Sequence, residues 1–265
     1  MKFNTLEDRM LYFRGLSDYK LMPNSYILVM LDGRSFSKLI KNNFERPFSD
    51  KFIDMMNETA KFVCQNVQGC KFGYVQSDEI SLVLTDFDTP TTDSFFDYRI
   101  SKLQSIIASL ATSKFNQSMT LDMMSTPCSI DDMKDMIYNA KLIQFDCKVW
   151  NVPSLNDVYA WFLYRQKDCT RNSIAQTAQT YIPHKDLQHL YPKDMIDKLL
   201  EKGIDWNSFD DGKKYGRFIK KEEVEIIKEI KLIRRQWKCQ NAFPLENNKD
   251  KFNDYTKLPV LDYEN

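Results

Sequence analysis

Glycine is scarce in this chain, with seven in 265 residues. Loops that cradle phosphate with backbone N–H groups need clustered glycine. Neither G-x-x-x-x-G-K-[ST] nor G-x-G-x-x-G occurs, which excludes P-loop and Rossmann sites at the motif level. Phosphates would have to be held by side chains and metal. Histidine is limited to His184 and His189, and the six cysteines, Cys64, Cys70, Cys128, Cys147, Cys169 and Cys239, contain no C-x-x-C pair. A structural zinc site is therefore not expected, and the thiols read as reduced ones. No run approaches the ~18 apolar residues of a membrane span. The N-terminus, with Glu7 and Asp8, lacks a basic segment followed by an apolar one. A cytoplasmic location is the expectation. Net charge is absent too: Lys+Arg and Asp+Glu are both 37, so the formal charge is zero. Nothing global draws the chain to nucleic acid, and any RNA surface must be a local patch.

What is present begins with enough apolar material for a sizeable core, 43% of 265 residues. The length exceeds the ~100 to 200 residues of a typical domain. Thr5 with Asp8 three residues on predicts a capped first helix, with Met10, Phe13 and Leu16 or Leu21 on its apolar face. The continuous apolar run Tyr26 to Leu31 suits a strand buried on both faces. A turn-rich connection to Pro47 contains a short helical piece around Phe36 to Ile40, and a helix follows from Asp50 to about Val67. Lys71 to Gln76 and Ile80 to Thr85 read as a hairpin joined at Ser77-Asp78-Glu79. After the polar stretch Asp86 to Asp93, a long helix is expected over Ser94 to Phe115. A Met-rich, acidic connection that periodicity does not assign then leads to a fourth strand at about Leu142 to Val149. From Pro153 the pattern turns helical: Leu155 to Tyr164, a segment capped by Asp168 or Thr170 running to about Tyr181, and Lys193 to Lys202. Asp205 to Tyr215 reads as loop, Arg217 to Lys221 as a short strand, and Glu222 to Lys231 as a charged stretch. Trp150, Trp161, Trp206 and Trp237 are assigned to the core. Residues 1–150 are expected to form the core unit. Residues 151–265 read as a mostly helical elaboration packed on it, since no Gly/Ser/Pro-rich linker separates the two.

The fold class predicted is α+β: strand, helix, strand, strand, helix, strand is the ferredoxin-like split βαβ order, βαββαβ, with additional helices. That order carries a geometric consequence. The third strand lies antiparallel between the first and the second, so the end of strand one sits beside the turn joining strands two and three. Two acidic clusters, Asp32-Gly33-Arg34 and Ser77-Asp78-Glu79, would then share one edge of the sheet. Either cluster alone could be an ordinary turn, since Asp-Gly is a common turn dipeptide. Together they would repel without a cation between them, and a divalent metal held against a nucleotide's phosphates resolves that.

Leu31-Asp32-Gly33-Arg34-Ser35-Phe36, Asn43-Phe44-Glu45-Arg46-Pro47, Gln76-Ser77-Asp78-Glu79 and Arg165-Gln166-Lys167-Asp168-Cys169 follow one another in the order and spacing of the tRNA(His) guanylyltransferase family. The resemblance covers most of residues 5 to 220. It implies a fold similar to polymerase palm domains, yet RNA extension at the 5′ end. Position by position it implies Asp32 and Asp78 as metal carboxylates, the Gly33 carbonyl as a further ligand, and Glu79 as an adjacent catalytic acid. Arg34, Ser35, Phe36, Arg46, Ser77 and Lys102 are implied at the nucleotide. Arg171-Asn172-Ser173, where eukaryotic members have His-Ile-Asn, with Lys213 and Arg217, looks like the bacterial-type "like-protein" branch and implies RNA or nucleotide contacts.

The branch implies template-dependent 3′-to-5′ addition to truncated tRNA. Two Mg²⁺ ions, ATP and GTP or another NTP, a tRNA substrate and a homotetramer arranged as a dimer of dimers come with the resemblance. The alternatives are a tRNA(His)-specific guanylyltransferase, a palm-fold nucleotide cyclase or 5′-to-3′ polymerase, and a non-catalytic RNA-binding ferredoxin-like module. The last would show base-stacking aromatics on its central strands.

Overall fold

The computed structural model describes residues 2–89, 91–227 and 232–261. Its centre is a six-stranded antiparallel sheet. Strands β1 (Tyr26–Gly33), β2 (Cys70–Gln76), β3 (Glu79–Leu84), β4 (Phe145–Val152), β5 (Arg217–Ile227) and β6 (Leu232–Asn241) lie in the order β4-β1-β3-β2-β5-β6. The four strands expected from the sequence occupy the ferredoxin-like positions, with β3 antiparallel to both β1 and β2. Helices α3 (Asp50–Asn66) and α4 (Ile100–Met124) cover one face and α6 (Leu155–Tyr181) the other. Strand alternation sorts the side chains between these layers. Ile27, Val29 and Leu31 pack toward α3 and α4, and Tyr26 and Leu28 toward α6. No described helix is long and apolar enough to cross a membrane.

Helix α1 (Leu6–Gly15) carries the expected capping box between Thr5 and Asp8, but none of its residues is buried. Phe96, Asp97 and Tyr98 take left-handed backbone angles, so α4 starts at Ile100 rather than Ser94. It runs on to Met124, where Asp122 pairs with Lys51 of α3 at 2.6 Å. The Met-rich connection contains a helix, α5 (Ile130–Asn139), capped by Ser129. The two helices expected at 155–181 are one. Asp168 does not cap a second helix, because its carboxylate accepts from Arg165 and Arg171, each three residues away on the same helix face.

Beyond α7 (Pro192–Glu201), the segment read as loop contains a short 3₁₀ turn at Trp206–Ser208 and α8 (Asp211–Tyr215). The largest departure is β5 and β6. The short strand is eleven residues long, and much of the charged stretch is strand, its residues 228–231 lying outside the described ones. Charge obscured this hairpin because it projects beyond β2: Glu223 pairs across it with Arg235 at 3.2 Å, and exposed Arg234 and Lys238 protect the sheet's edge strand from further pairing. Helix α9 (Lys249–Thr256) closes the α6 face, with Phe252 at right angles to Phe72.

Candidate active site

The site grows from the register of three strands. Asp32 is the cross-strand partner of Glu79 on β3 and of Asp146 on β4. Leu31, Ile80 and Phe145 pack toward α3 and α4, so their neighbours Asp32, Glu79 and Asp146 all face the α6 side. Ser77 and Asp78 form the two-residue turn from β2 to β3, which sets Asp78 just past this row. Forty-six positions of sequence separation therefore close to a shared edge, as the topology predicts.

Gly33 is glycine for a local reason. A Cβ there would lie 2.3 Å from the Phe36 ring. That ring is buried between Phe52, Phe115 and Phe145, with centroids 6.1, 5.1 and 5.1 Å away. The Phe36 side chain, expected at the nucleotide, thus belongs to the core, and only its backbone remains for a ligand. Ser35, which precedes α2 (Phe36–Asn43), is exposed and takes a left-handed φ of 63°. Arg34 is exposed, its guanidinium donating to Gln144 Oε1 at 3.2 Å.

The carboxylates differ in what holds them. The acidity of Asp78 is weakened by burial, its pKa rising to about 6, with the charges of Asp32 and Glu79 adding to the shift and the Ser77 hydroxyl, 3.0 Å from Oδ1, opposing it. Asp32 is raised by burial first and by Asp146 second, with Lys148 and Arg165 pulling the other way. Glu79 is also raised by burial, but it is paired. Arg165 donates through Nε to Oε1 at 2.7 Å and through Nη2 to Oε2 at 2.5 Å, and the same Nη2 reaches Asp168 at 3.0 Å. Trp161 and Tyr164 flank the guanidinium, with ring centroids 5.8 and 5.1 Å from Cζ. Glu79 was expected among the catalytic acids. The geometry makes it instead the buried anchor of α6 to the acidic turn, with both carboxylate oxygens engaged. Among the described residues, no three His, Cys, Asp or Glu side chains form a ready cation cage. Of the two acidic clusters, Asp32 and Asp78 supply oxygen donors without a bidentate cation partner, whereas both Glu79 oxygens are taken by Arg165. That donor set suits Mg²⁺, which is commonly held by one or two carboxylates while phosphates and water fill the remaining positions.

A pocket adjoins the turn. Its wall takes Ser77 from the turn, Asn172 and Ser173 from α6, Lys213 from α8, Arg217 from β5 and Glu45 from the loop after α2. Gln176 holds this loop by donating to the Pro47 carbonyl at 2.6 Å. Arg217 is buried, donating to Asn57 at 3.0 Å and to the Gly212 carbonyl at 3.1 Å, and its Nη2 has no partner among the described residues. Lys213 pairs with Asp50 at 2.7 Å. The Ser173 hydroxyl is taken by the Trp206 indole at 3.0 Å, and exposed Arg171 pairs with Asp168. Arg46 is exposed on the loop. Lys102 is not brought to this edge. It is exposed in the first turn of α4, whereas Phe115, thirteen positions on and about 20 Å along the helix, is the residue that meets Phe36.

Sequence reasoning gave no role to Arg165, Asp146 or Gln176. Arg165 stands in the first position of a quoted motif, and Asp146 alternates with Lys148 on a strand, but only the register shows that they meet Glu79 and Asp32.

A family model described as tRNAHis guanylyltransferase matches residues 8–153, more than half of the chain. The chain belongs to the tRNAHis guanylyltransferase family. Members of this family are nucleotidyltransferases, and the chain is a transferase of tRNA processing by that membership. Its structure is similar to a bacterial tRNA(His) guanylyltransferase (Thg1)-like protein in complex with ATP, at a TM-score of 0.80 and 31% identity over 96% of this chain and 99% of that one. The GTP complex of a bacterial Thg1-like protein gives 0.76 and 29%, again over 96% of this chain and 99% of that one. The tRNA(His) guanylyltransferase of Neurospora crassa is 30% identical over 158 residues, which span 59% of this chain and about half, 49%, of that enzyme. The palm-like fold expected from the sequence is the fold of these solved proteins.

Proposed function

We propose that this chain extends the 5′ end of tRNA in the 3′-to-5′ direction, copying the opposite acceptor strand, and so repairs 5′-truncated tRNA. The observation that carries the reading is the Asp32 and Asp78 pair at one sheet edge, beside a pocket, in a chain similar along almost its whole length to bacterial Thg1-like proteins that bind ATP and GTP. ATP would adenylylate the tRNA 5′-monophosphate with loss of pyrophosphate. The 3′-hydroxyl of an incoming NTP would then attack that phosphate, displacing AMP.

Asp32, Asp78 and the Gly33 carbonyl would hold Mg²⁺, two ions by the family pattern, and the metal would supply charge neutralisation for in-line phosphoryl transfer. The protein's own part is positioning. Arg165 would fix Glu79 and with it the turn that carries Asp78 beside Asp32. Ser77 offers its hydroxyl, and Arg34, Ser35 and Arg46 would lie along the phosphates. The pocket beside Ser77 would take the nucleoside, with Asn172 offered to its polar edge and the buried Arg217 guanidinium in its wall. The core at 1–150 would thus carry the carboxylates and one side of the pocket wall, and 151–265 the clamp and the other side. The aromatic side chains of the central strands, Phe72 and Tyr74, are buried under α6, which disfavours the RNA-stacking module. The exposed Leu6 and Met10 of α1, with Leu16 just beyond it, support self-association, and the homotetramer is the form the family pattern gives it.

The test is incubation with Mg²⁺, ATP, GTP and a labelled 5′-truncated tRNA. One-nucleotide extension is expected, lost in Asp32→Ala. No extension across several tRNAs ends the reading, and extension confined to tRNA(His) replaces it with the guanylyltransferase.

A further inference from the structure

The chain's charge sums to zero, yet its cations are not evenly spread. Where α3, α4 and the β5–β6 hairpin converge, an open bowl is lined by Lys61, Lys114, Lys221, Arg234, Arg235 and Trp237, with Glu58 as the one carboxylate in its wall among the described residues. Two of the five cations are neutralised: Lys61 pairs with Glu58, and Arg235 with Glu223. Among the described residues Lys114, Lys221 and Arg234 have no carboxylate partner. Lys114 lies over the Phe62 ring at 5.9 Å and donates to Gln117, and Lys221 lies over Trp237 at 5.4 Å. Their aliphatic stems rest on apolar surface and their charged ends remain available.

We propose that this bowl binds the sugar-phosphate backbone of the tRNA substrate, at a segment remote from the 5′ end. The proposal rests on the tRNA reading given above. Its shape favours a polyanion over a small one. The cations are spread over four elements of a wide, open concavity, whereas a nucleotide needs donors converging on one point. Its location decides the segment. Trp237 packs against the cluster under α3 and α4, while Asp32 and Glu79 face α6. The bowl and the carboxylates lie on opposite sides of the sheet, so they engage different stretches of one RNA. The mainly phosphate contact makes it indifferent to sequence, as a repair enzyme acting on several tRNAs requires.

The test compares the wild-type protein with Lys114→Ala/Lys221→Ala/Arg234→Ala. Binding of full-length tRNA and of an acceptor-stem minihelix is measured from 50 to 300 mM salt, together with ATP binding and thermal melting. Three lost phosphate contacts should lower the log–log salt slope for tRNA by between about two and three and raise Kd on the order of tenfold or more at low salt. ATP affinity, melting and minihelix binding should stay at wild-type values, and the triple Lys114→Arg/Lys221→Arg/Arg234→Lys variant should keep the wild-type slope. An unchanged Kd and slope for full-length tRNA would overturn the proposal while leaving the polymerase reading intact, provided the wild type binds and extends tRNA. An equal loss on the minihelix would overturn the remote placement. A wild-type protein that neither binds nor extends tRNA would overturn both.

Discussion

Replacing Asp78 by Asn should make the protein inactive and more stable. Burial and the neighbouring charges move the Asp78 pKa from 3.8 to about 6. A difference of roughly 2 units corresponds to about 3 kcal/mol spent on ionising this group in the folded state. Asp78 is half-buried and partly screened, so about 1 to 2 kcal/mol is the realistic gain. The sign follows from proton binding. Between about pH 4 and 6 the folded protein holds a proton on Asp78 that the unfolded chain has released, so stability falls as pH rises through that window and stays low above it. Asp32 and Glu79 are raised as well and add to the wild-type slope, so the difference between wild type and variant is what isolates Asp78. Urea unfolding in EDTA at pH 7.5 should show Asp78→Asn the more stable by that amount, and the two proteins should converge near pH 4. Mg²⁺ should then stabilise the wild type by about 2.7 kcal/mol at a hundredfold excess over its Kd, and the variant much less. A variant no more stable than wild type at pH 7.5 would refute the argument that this edge is an electrostatic liability without metal.

Arg165→Ala strands the buried Glu79 charge and should cost about 3 to 5 kcal/mol at pH 7.5. The loss should shrink as pH falls and Glu79, whose pKa burial raises, takes up a proton, and a small, pH-independent loss in denaturant titrations would contradict the anchoring role. Gly33→Ala drives a methyl into the Phe36 ring and should destabilise by about 1 to 3 kcal/mol. Phe36→Leu in the same chain should recover part of that loss in melting experiments, and no recovery would argue against the clash. Asp146→Asn removes a charge that raises Asp32, so the acidic limb of the kcat/KM profile should move to lower pH, whereas an unmoved limb would mean Asp146 is uncoupled from the chemistry.

The core topology was legible because its strands are short, largely apolar runs with turns between them, and the continuous apolar run Tyr26 to Leu31 suits a strand buried on both faces. The meeting of Asp32 and Asp78 followed from strand order alone. The β5–β6 hairpin was not legible, since a hairpin projecting past its neighbours takes charged residues on both sides and looks like a solvated stretch. Phe36 was misassigned because a motif gives spacing and not direction: Gly33 leaves a space that the ring turns back to fill. Lys102 failed for a similar reason, since a long helix carries its first turn far from the end that touches the site. Glu79 stands next to Asp78 in sequence, but strand alternation turns it onto Arg165, a partner eighty-six residues away.

Helix α6 is a single rod of 27 residues, about 40 Å long, that grips the acidic turn through Arg165 and lines the adjoining pocket through Asn172 and Ser173. The two duties fall about two turns apart on one rigid element. Nucleobase preference should therefore be open to redesign at the pocket turns while the grip at Arg165, seven residues upstream of Asn172, keeps the metal-binding groups in register. A proline or a break between Asp168 and Asn172 would uncouple substrate choice from chemistry in a single step.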